Sequence, residues 1–536
     1  MRSTHGAGSP AIILPGIPAT CDPSRVVTQM VRRASSIGFD AWWRRAQSVG
    51  FCAHPIQLVG TNEFGRETVV WVRCNNRRAS VCPSCSDLYA RDTWQLVAAG
   101  TSGGRHHIPA SVAAHPQVFA TLTAPSFGAV HTNSGTMCRD HRRIGEFRRC
   151  AHRQPLWCNE NHGHNDVLAG QPLCRECYDY TGHVLFTWHL PELWRRFTIT
   201  LRRAVDMKLK SIGIEPKSVR FSFVKVVEMQ ARAIPHIHAL IRLDPADPNT
   251  TASSERTNHG PAATRGGGER RHESDPVWQS PISAAELATL TQQAARSVQL
   301  HVLDPSTNKR EGSESLDTAA SESVTVRFGT QIDTQPLVSE TRVPQPDSSD
   351  SGAPAGRLSP RRVAGYLAKY VTKSLADFGI SARRLSAEAI AELEVTEHVR
   401  SILTTISALA EVARQGLGAL TGIGRWLHTL GYRGHITTKS HRYSTTMGAL
   451  RAIRATWTRQ QTAKHSVSQD NPDSRELDAL ADGDEVWWQF HRAGHATPGD
   501  RTLVVSAALR HIDSRRIGLA ESRALRDKQA PGAGDG

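Results

Sequence analysis

Two β-prone runs, Phe221 to Met229 and His236 to Leu243, flank a short connection, and this hairpin pattern limits the possible folds more than any other feature. Side chains alternate across a strand, so His236 and His238 share one face and Ile237 is buried between them. A hairpin centred near Arg232 or Ala233 sets Glu228 opposite His236 or His238 on that face. Two imidazoles and a carboxylate make a three-ligand, open-sided site. It suits Mg2+ or Mn2+ carrying a phosphate oxygen better than a closed structural zinc. Two histidines on a solvent-facing strand would show the same spacing.

A second constellation lies more than a hundred residues downstream, in Tyr366-Leu367-Ala368-Lys369-Tyr370-Val371-Thr372-Lys373. On a helix, Tyr366 and Tyr370 stand one turn apart on one face, with Lys369 and Lys373 beside them at the same spacing. A tyrosine with a pKa near ~10 is a poor nucleophile at neutral pH, so it needs a polarised electrophile and cations that favour phenolate. The two lysines can supply that charge or hold a phosphate. An amphipathic helix with the tyrosine tips exposed is the plainer alternative.

The cysteines fall into two groups. Cys74 and Cys82 have seven residues between them, as do Cys150 and Cys158, and Cys82-x2-Cys85 and Cys174-x2-Cys177 are knuckles. Cys52, Cys74, Cys82 and Cys85 make one set of four thiolates, and Cys150, Cys158, Cys174 and Cys177 a second. Both fit tetrahedral Zn2+, so two structural zinc ions are expected. His152, His162 or His164 could replace a cysteine in the second. Cys21 and Cys138 are left as free thiols.

With 65 basic against 50 acidic residues, the net charge of +15 is spread along the chain and favours a polyanionic partner. The longest apolar runs, such as Ala11 to Leu14, fall far short of the ~18 residues a membrane span needs. No secretory signal is visible, so a cytoplasmic protein without a membrane partner is expected. The 536 residues exceed one ordinary core. The predicted order is a helical lead-in (1–50), a first zinc-binding segment (51–100), and a core split over 115–124, 181–243 and 324–376. A second zinc-binding insertion (125–180) and flexible linkers (244–280 and 339–360) interrupt that core. A helical DNA-contacting region (381–465) and a C-terminal region with a disordered tail (466–536) follow. Helices are expected over 86–99, 191–207 and 283–302. Arg433, His435, Lys439, Arg442 and Tyr443 concentrate phosphate donors and an aromatic face, as single-stranded DNA contacts require.

Taken together, these motifs resemble the replication initiators of actinobacterial rolling-circle plasmids and integrative elements, within the His-hydrophobic-His (HUH) endonuclease superfamily. The resemblance rests on Phe119-Ala120-Thr121-Leu122-Thr123, on Glu228 to Arg232 followed by His236-Ile237-His238, and on Tyr366 to Lys373. Cys82 to Ser86, Pro172 to Tyr180, Gly431 to His435 and Thr438 to Ser440 support it, and it spans roughly residues 50 to 450 in order. It implies an α+β fold with an antiparallel sheet, helices packed on it, zinc-binding insertions and a helical C-terminal region. It also implies a nick at a single-stranded or melted origin through a 5′ phosphotyrosine, with host helicase and polymerase as partners. Carried over, Tyr366 is the first nucleophile, Tyr370 the second, and His236, His238 and Glu228 the metal ligands. Ala233 departs from the glycine the family favours after the arginine. A conjugative relaxase or HUH transposase, and a non-catalytic zinc-containing DNA-binding regulator, are the competing readings.

Overall fold

The computed structural model describes residues 21–62, 65, 67–133, 137–139, 148–163, 166–246, 278–303, 323–337, 359–371, 378, 380, 385–386, 388–415, 418–466 and 486–529. Lys373, His164 and most of both expected linkers lie outside these residues. The chain forms two compact units, one of Met1–Asp92 with Met447–Gly536 and one of Thr93–Thr446. The C-terminal region therefore rejoins the N-terminal segment, and the region expected as 381–465 divides at Met447.

In the smaller unit the helical lead-in is two helices, Pro23–Ala34, capped by the Asp22 carboxylate, and Phe39–Ser48. Strands β1 (Ile56–Asn62) and β2 (Glu67–Val72) follow. The segment 51–100, expected to bind the first zinc, thus contains strands that the cysteine pattern did not announce. A further strand, Val486–Ala493, pairs antiparallel with β1, and a helix runs over Pro498–Gln529. Trp42, Ala46, Phe51, Trp71, Cys82, Val504 and Ala508 close its apolar core. Arg33 clamps Asp500 at 2.8 and 3.1 Å, which ties the first helix to the last.

The larger unit carries a five-stranded antiparallel sheet of β3 (Gln117–Leu122), β4 (Val219–Met229), β5 (Pro235–Pro245), β8 (Ile332–Pro336) and β9 (Thr437–Lys439). Their order is β8-β3-β5-β4-β9. The expected hairpin is β4-β5. Its turn places Ala233 at φ 57°, the left-handed region where glycine is at ease, and this is where the sequence departs from the family's glycine. Alternation gives the sheet two characters. Ala120, Leu122, Val227, Ile237, Ala239 and Ile241 enter the apolar core under the helices, while Thr121, Glu228, His236 and His238 share the other face. Between them, β6 (Gln299–Leu303) and β7 (Ser323–Arg327) form a separate pair. The helix expected over 283–302 thus stops at Ser297, and its end is strand, consistent with the β-branched and apolar residues there.

The helix expected from Pro191 begins eleven residues earlier and runs Tyr180–Ser211, with Pro191 inside it. His183 to Leu190 are all buried, so packing outweighs the backbone hydrogen bond that proline cannot make. Burial, and then His398 nearby, depresses His183 to about 3, and burial takes His189 and His398 to about 4. Below the unfolded-state pKa of ~6.5 the unfolded chain binds protons that these folded histidines do not, so stability falls as pH drops from there toward 4. The loss expected by pH 5 is about 2 kcal/mol for each. Urea midpoints at pH 7.5 and pH 5 should differ accordingly, and His183→Gln should flatten the difference. An unchanged difference in that variant would exclude His183 as a source.

A buried ionic network locks the end of β5. Asp244 accepts from Arg242 Nε at 2.6 Å, His115 Nδ1 at 2.8 Å, Ser222 Oγ at 2.8 Å and Arg220 Nη2 at 3.1 Å. Burial pushes this carboxyl up, but the His115 and Arg242 bonds outweigh it and hold Asp244 well below the usual range. Arg242→Met should cost about 3–5 kcal/mol by stranding a buried carboxylate, read as a drop in the urea midpoint. A shift under 1 kcal/mol would show that the network is not stabilising. Among the described residues, no helix is long and apolar enough to cross a membrane.

Candidate active site and metal centres

The register of the hairpin pairs Glu228 with His236. Both imidazoles turn Nε2 onto one carboxylate oxygen: His236 lies 3.1 Å and His238 3.2 Å from Glu228 Oε2. The rings stand edge to face with centroids 4.4 Å apart. All three residues are buried, and their ligand atoms lie within 4.8 Å of one another. Two groups that the motif reading had not singled out individually hold the rings from behind. Thr121 Oγ1 on β3 is 3.1 Å from His238 Nδ1, and the Gln230 amide nitrogen is 3.0 Å from His236 Nδ1. Phe119 stacks on His238 at 5.8 Å with planes 9° apart. The donor set fits an oxygen-seeking divalent cation, since three ligands converge and leave other directions open. Ligation through His236 Nε2 requires its proton on Nδ1, and then Gln230 must offer its amide oxygen.

The tyrosines lie on the helix Pro360–Tyr370, started by the Ser359 hydroxyl and Pro360. Val363, Ala364, Leu367 and Ala368 are its buried stripe. Tyr366 extends its hydroxyl to 3.3 Å from His238 Nε2, and the rings of Tyr366 and Tyr370 sit 4.3 Å apart. The Tyr370 ring is 5.9 Å from that of His238 and the Tyr366 ring 5.0 Å, so Tyr366 is the closer of the two to His238. Burial, then Tyr370 and Glu228, pushes the Tyr366 phenol above its ordinary value. The protein side chains around it thus oppose phenolate. Lys369 is exposed, with Nζ 5.6 Å from the Tyr370 ring centroid. A cleft of about 860 Å³ opens beside the clamp, and its lining includes Glu228, Gln230, Arg232 and Tyr370 together with His131 and Asp166.

Cys52, Cys74, Cys82 and Cys85 converge as expected. Cys52 Sγ is 3.8 Å from Cys82 and 3.6 Å from Cys85, near the separation of about 3.8 Å between sulfurs on a tetrahedral zinc. The second set is not the four cysteines but one of the replacements the sequence allowed: His152 takes the place of Cys158 beside Cys150, Cys174 and Cys177. The cause is a tight turn after Cys150, with Arg153 at φ 61°, which brings His152 Nδ1 to 3.2 Å from Cys177 Sγ. Cys158 instead meets Cys138, expected to be a free thiol, together with His131 and His162.

The expected DNA-contacting residues separate. Tyr443 cannot offer a stacking face, because it is fully buried under the Arg242 guanidinium, 5.0 Å from its ring centroid. Lys439 sits on the edge strand β9 and donates to the carbonyls of Ser440, His441 and Ser444 at 3.0–3.3 Å, so its ammonium is bound within its own loop. Arg433 is exposed but lies 4.3 Å over the Trp188 ring. His435 and Arg442 are also exposed.

Residues 38–509 match the family described as "Replication initiator protein, pSAM2". The chain is also 33% identical over 530 residues to a replication initiator protein of Streptomyces ambofaciens, covering 95% of this chain and 97% of that one. No solved structure matches it.

Proposed function

Since the chain belongs to the pSAM2 replication initiator family, we propose that it starts replication as an HUH-type endonuclease, cutting one DNA strand at its element's origin. The observation that carries this reading is the Tyr366 hydroxyl 3.3 Å from an imidazole nitrogen of the Glu228–His236–His238 clamp. Glu228, His236 and His238 would hold Mg2+ or Mn2+, which when bound supplies positive charge to polarise a phosphodiester oxygen. Tyr366 is the first nucleophile. Its oxygen bonds to phosphorus as the bond from phosphorus to the 3′ oxygen breaks. That leaves a 5′ phosphotyrosine and, after proton uptake, a 3′ hydroxyl that a polymerase extends. Tyr370, one turn away, attacks the regenerated junction, so that rejoining proceeds by transesterification without hydrolysis. Lys369, with Lys373, contacts the phosphates leading to the site, and Arg433, His435 and Arg442 bind the flanking strand. The Cys52, Cys74, Cys82 and Cys85 thiolates and the Cys150, His152, Cys174 and Cys177 set would each hold Zn2+, which when bound would fix the surrounding loops. Host helicase and polymerase act on the nicked origin.

Family membership favours this reading over a relaxase or transposase. The test is a supercoiled plasmid carrying the element's origin, incubated with protein and Mn2+. The expected product is an open circle whose new 3′ end primes a polymerase. A plasmid that is bound but stays supercoiled under every divalent metal would contradict the proposal and leave the non-catalytic regulator.

A further inference from the structure

The insertion between β3 and the helix Tyr180–Ser211 has almost no apolar core. Among its described residues Met137, Val167 and Leu168 are exposed, and between His131 and Cys177 the buried aliphatic side chains are the small Ala169 and Pro172. A segment this poor in burial needs another source of order. What converges there instead is sulfur and imidazole, with Cys138, His162 and Cys174 buried, and these groups alternate along the chain. His131 and Cys138 meet Cys158 and His162, while Cys150 and His152 meet Cys174 and Cys177. The first and third pairs thus share one centre and the second and fourth pairs share the other.

We propose that the tetrad His131, Cys138, Cys158 and His162 is a zinc site of its own, interleaved with its neighbour as a cross-brace, so that the protein carries three structural zinc ions. The geometry is that of a built site. His131 Nδ1 is 3.0 Å from His162 Nε2, and Cys158 Sγ is 3.4 Å from the same nitrogen. Cys138 Sγ is 3.8 Å from His131 Nδ1. Ligands on a tetrahedral zinc stand about 3.3–3.8 Å apart, so the two sulfur contacts already match and the two imidazole nitrogens need to part by only a few tenths of an ångström to admit the ion. The surroundings suit a cation. His162 Nδ1 faces Asp166 Oδ2 at 2.8 Å, which leaves Nε2 free to ligate, and the Thr132 N–H donates to Cys138 Sγ at 3.1 Å, as a thiolate requires. Two sulfurs and two imidazoles in this arrangement select zinc over harder cations.

Interleaving makes the two centres depend on each other. The chain that carries Cys150 and His152 is anchored on both sides by the ligands Cys138 and Cys158, whose strands pair through Arg139 and Cys158 at 2.8 and 3.1 Å. The site also supports the cleft. His131 exchanges backbone hydrogen bonds with Gly170 and Gln171 at 2.9 Å, and Gly170 packs so closely on the β4-β5 turn that a Cβ there would collide with the Ala231 carbonyl.

The experiment counts zinc by elemental analysis in the full chain carrying Glu228→Gln and His238→Ala, which empties the clamp of any zinc. Three equivalents are expected. Adding Cys138→Ser with Cys158→Ser should remove one and speed chelator release of the other insertion zinc by at least tenfold, with the Cys52 centre unchanged. Two equivalents before those substitutions, or three after them, would overturn the site. Unchanged release would overturn the cross-brace. If that variant does not fold, cobalt substitution of the parent decides: nine thiolate ligands over three centres are expected from the charge-transfer intensity, and eight or fewer contradict the proposal.

Discussion

Tyr366→Phe is expected to abolish covalent capture of DNA, lowering the rate of adduct formation by about 10⁴-fold or more, while the protein folds and binds its origin as before. Loss of a nucleophile removes the bond-forming atom, and an effect of that size follows if Tyr370, whose ring lies further from His238, does not reach the intact strand. Stability should barely change. The ring is partly exposed, and one hydroxyl hydrogen bond contributes about 1 kcal/mol. Tyr370→Phe should behave differently: nicking persists within roughly tenfold, and rejoining after strand displacement fails. The contrast follows from distance, because Tyr366 reaches His238 Nε2 at 3.3 Å while Tyr370 lies one turn further along the helix. Equal loss of nicking in both variants would contradict the assignment of a first and a second nucleophile. Adduct formation is read on a denaturing gel with a labelled oligonucleotide.

The second large effect is at the clamp. His238→Ala should reduce nicking by about 10²–10⁴-fold, since metal polarisation of a phosphoryl oxygen contributes several kcal/mol, with each 1.4 kcal/mol worth a factor of ten. Thr121→Val should do less, about tenfold, because it removes only the hydroxyl behind the ring. Manganese titration followed by electron paramagnetic resonance should show weakened binding in both variants, in the same order. Normal nicking by His236→Ala and by His238→Ala would remove the clamp from the mechanism. Retained Mn2+ affinity together with lost nicking would give His238 some role other than ligation.

How much of this was legible in the sequence depended on whether the deciding contact was local. The β4-β5 hairpin is local: a period of two and a short connection left Glu228 with two possible partners, and the turn chose His236. The tyrosine spacing was equally plain, although burial, Tyr370 and Glu228 raise the Tyr366 phenol where flanking lysines suggested the opposite. The Cys52 tetrad followed from a knuckle and its spacing. Non-local contacts were not readable. Strand Val486–Ala493 pairs with residues more than four hundred positions earlier, and no local pattern names such a partner. Pro191 reads as a helix start by its own chemistry, yet the buried run from His183 to Leu190 carries the helix through it. The matching spacing of Cys74/Cys82 and Cys150/Cys158 suggested equivalent roles. The turn at Arg153 instead sends Cys158 to a different centre. Tyr443 among basic residues suggested base stacking, but its burial is a tertiary fact set by Arg242.

The central claim is that the tyrosine helix and the histidine clamp form one phosphoryl-transfer site. The most direct measurement incubates the full chain with Mn2+ and a single-stranded oligonucleotide spanning the origin, digests the product, and locates the nucleotide by mass spectrometry. The account predicts a 5′ phosphate on the peptide containing Tyr366, carrying the strand downstream of the nick. No adduct under any divalent metal from folded, DNA-binding protein, or an adduct on a residue outside Pro360–Tyr370, would contradict it.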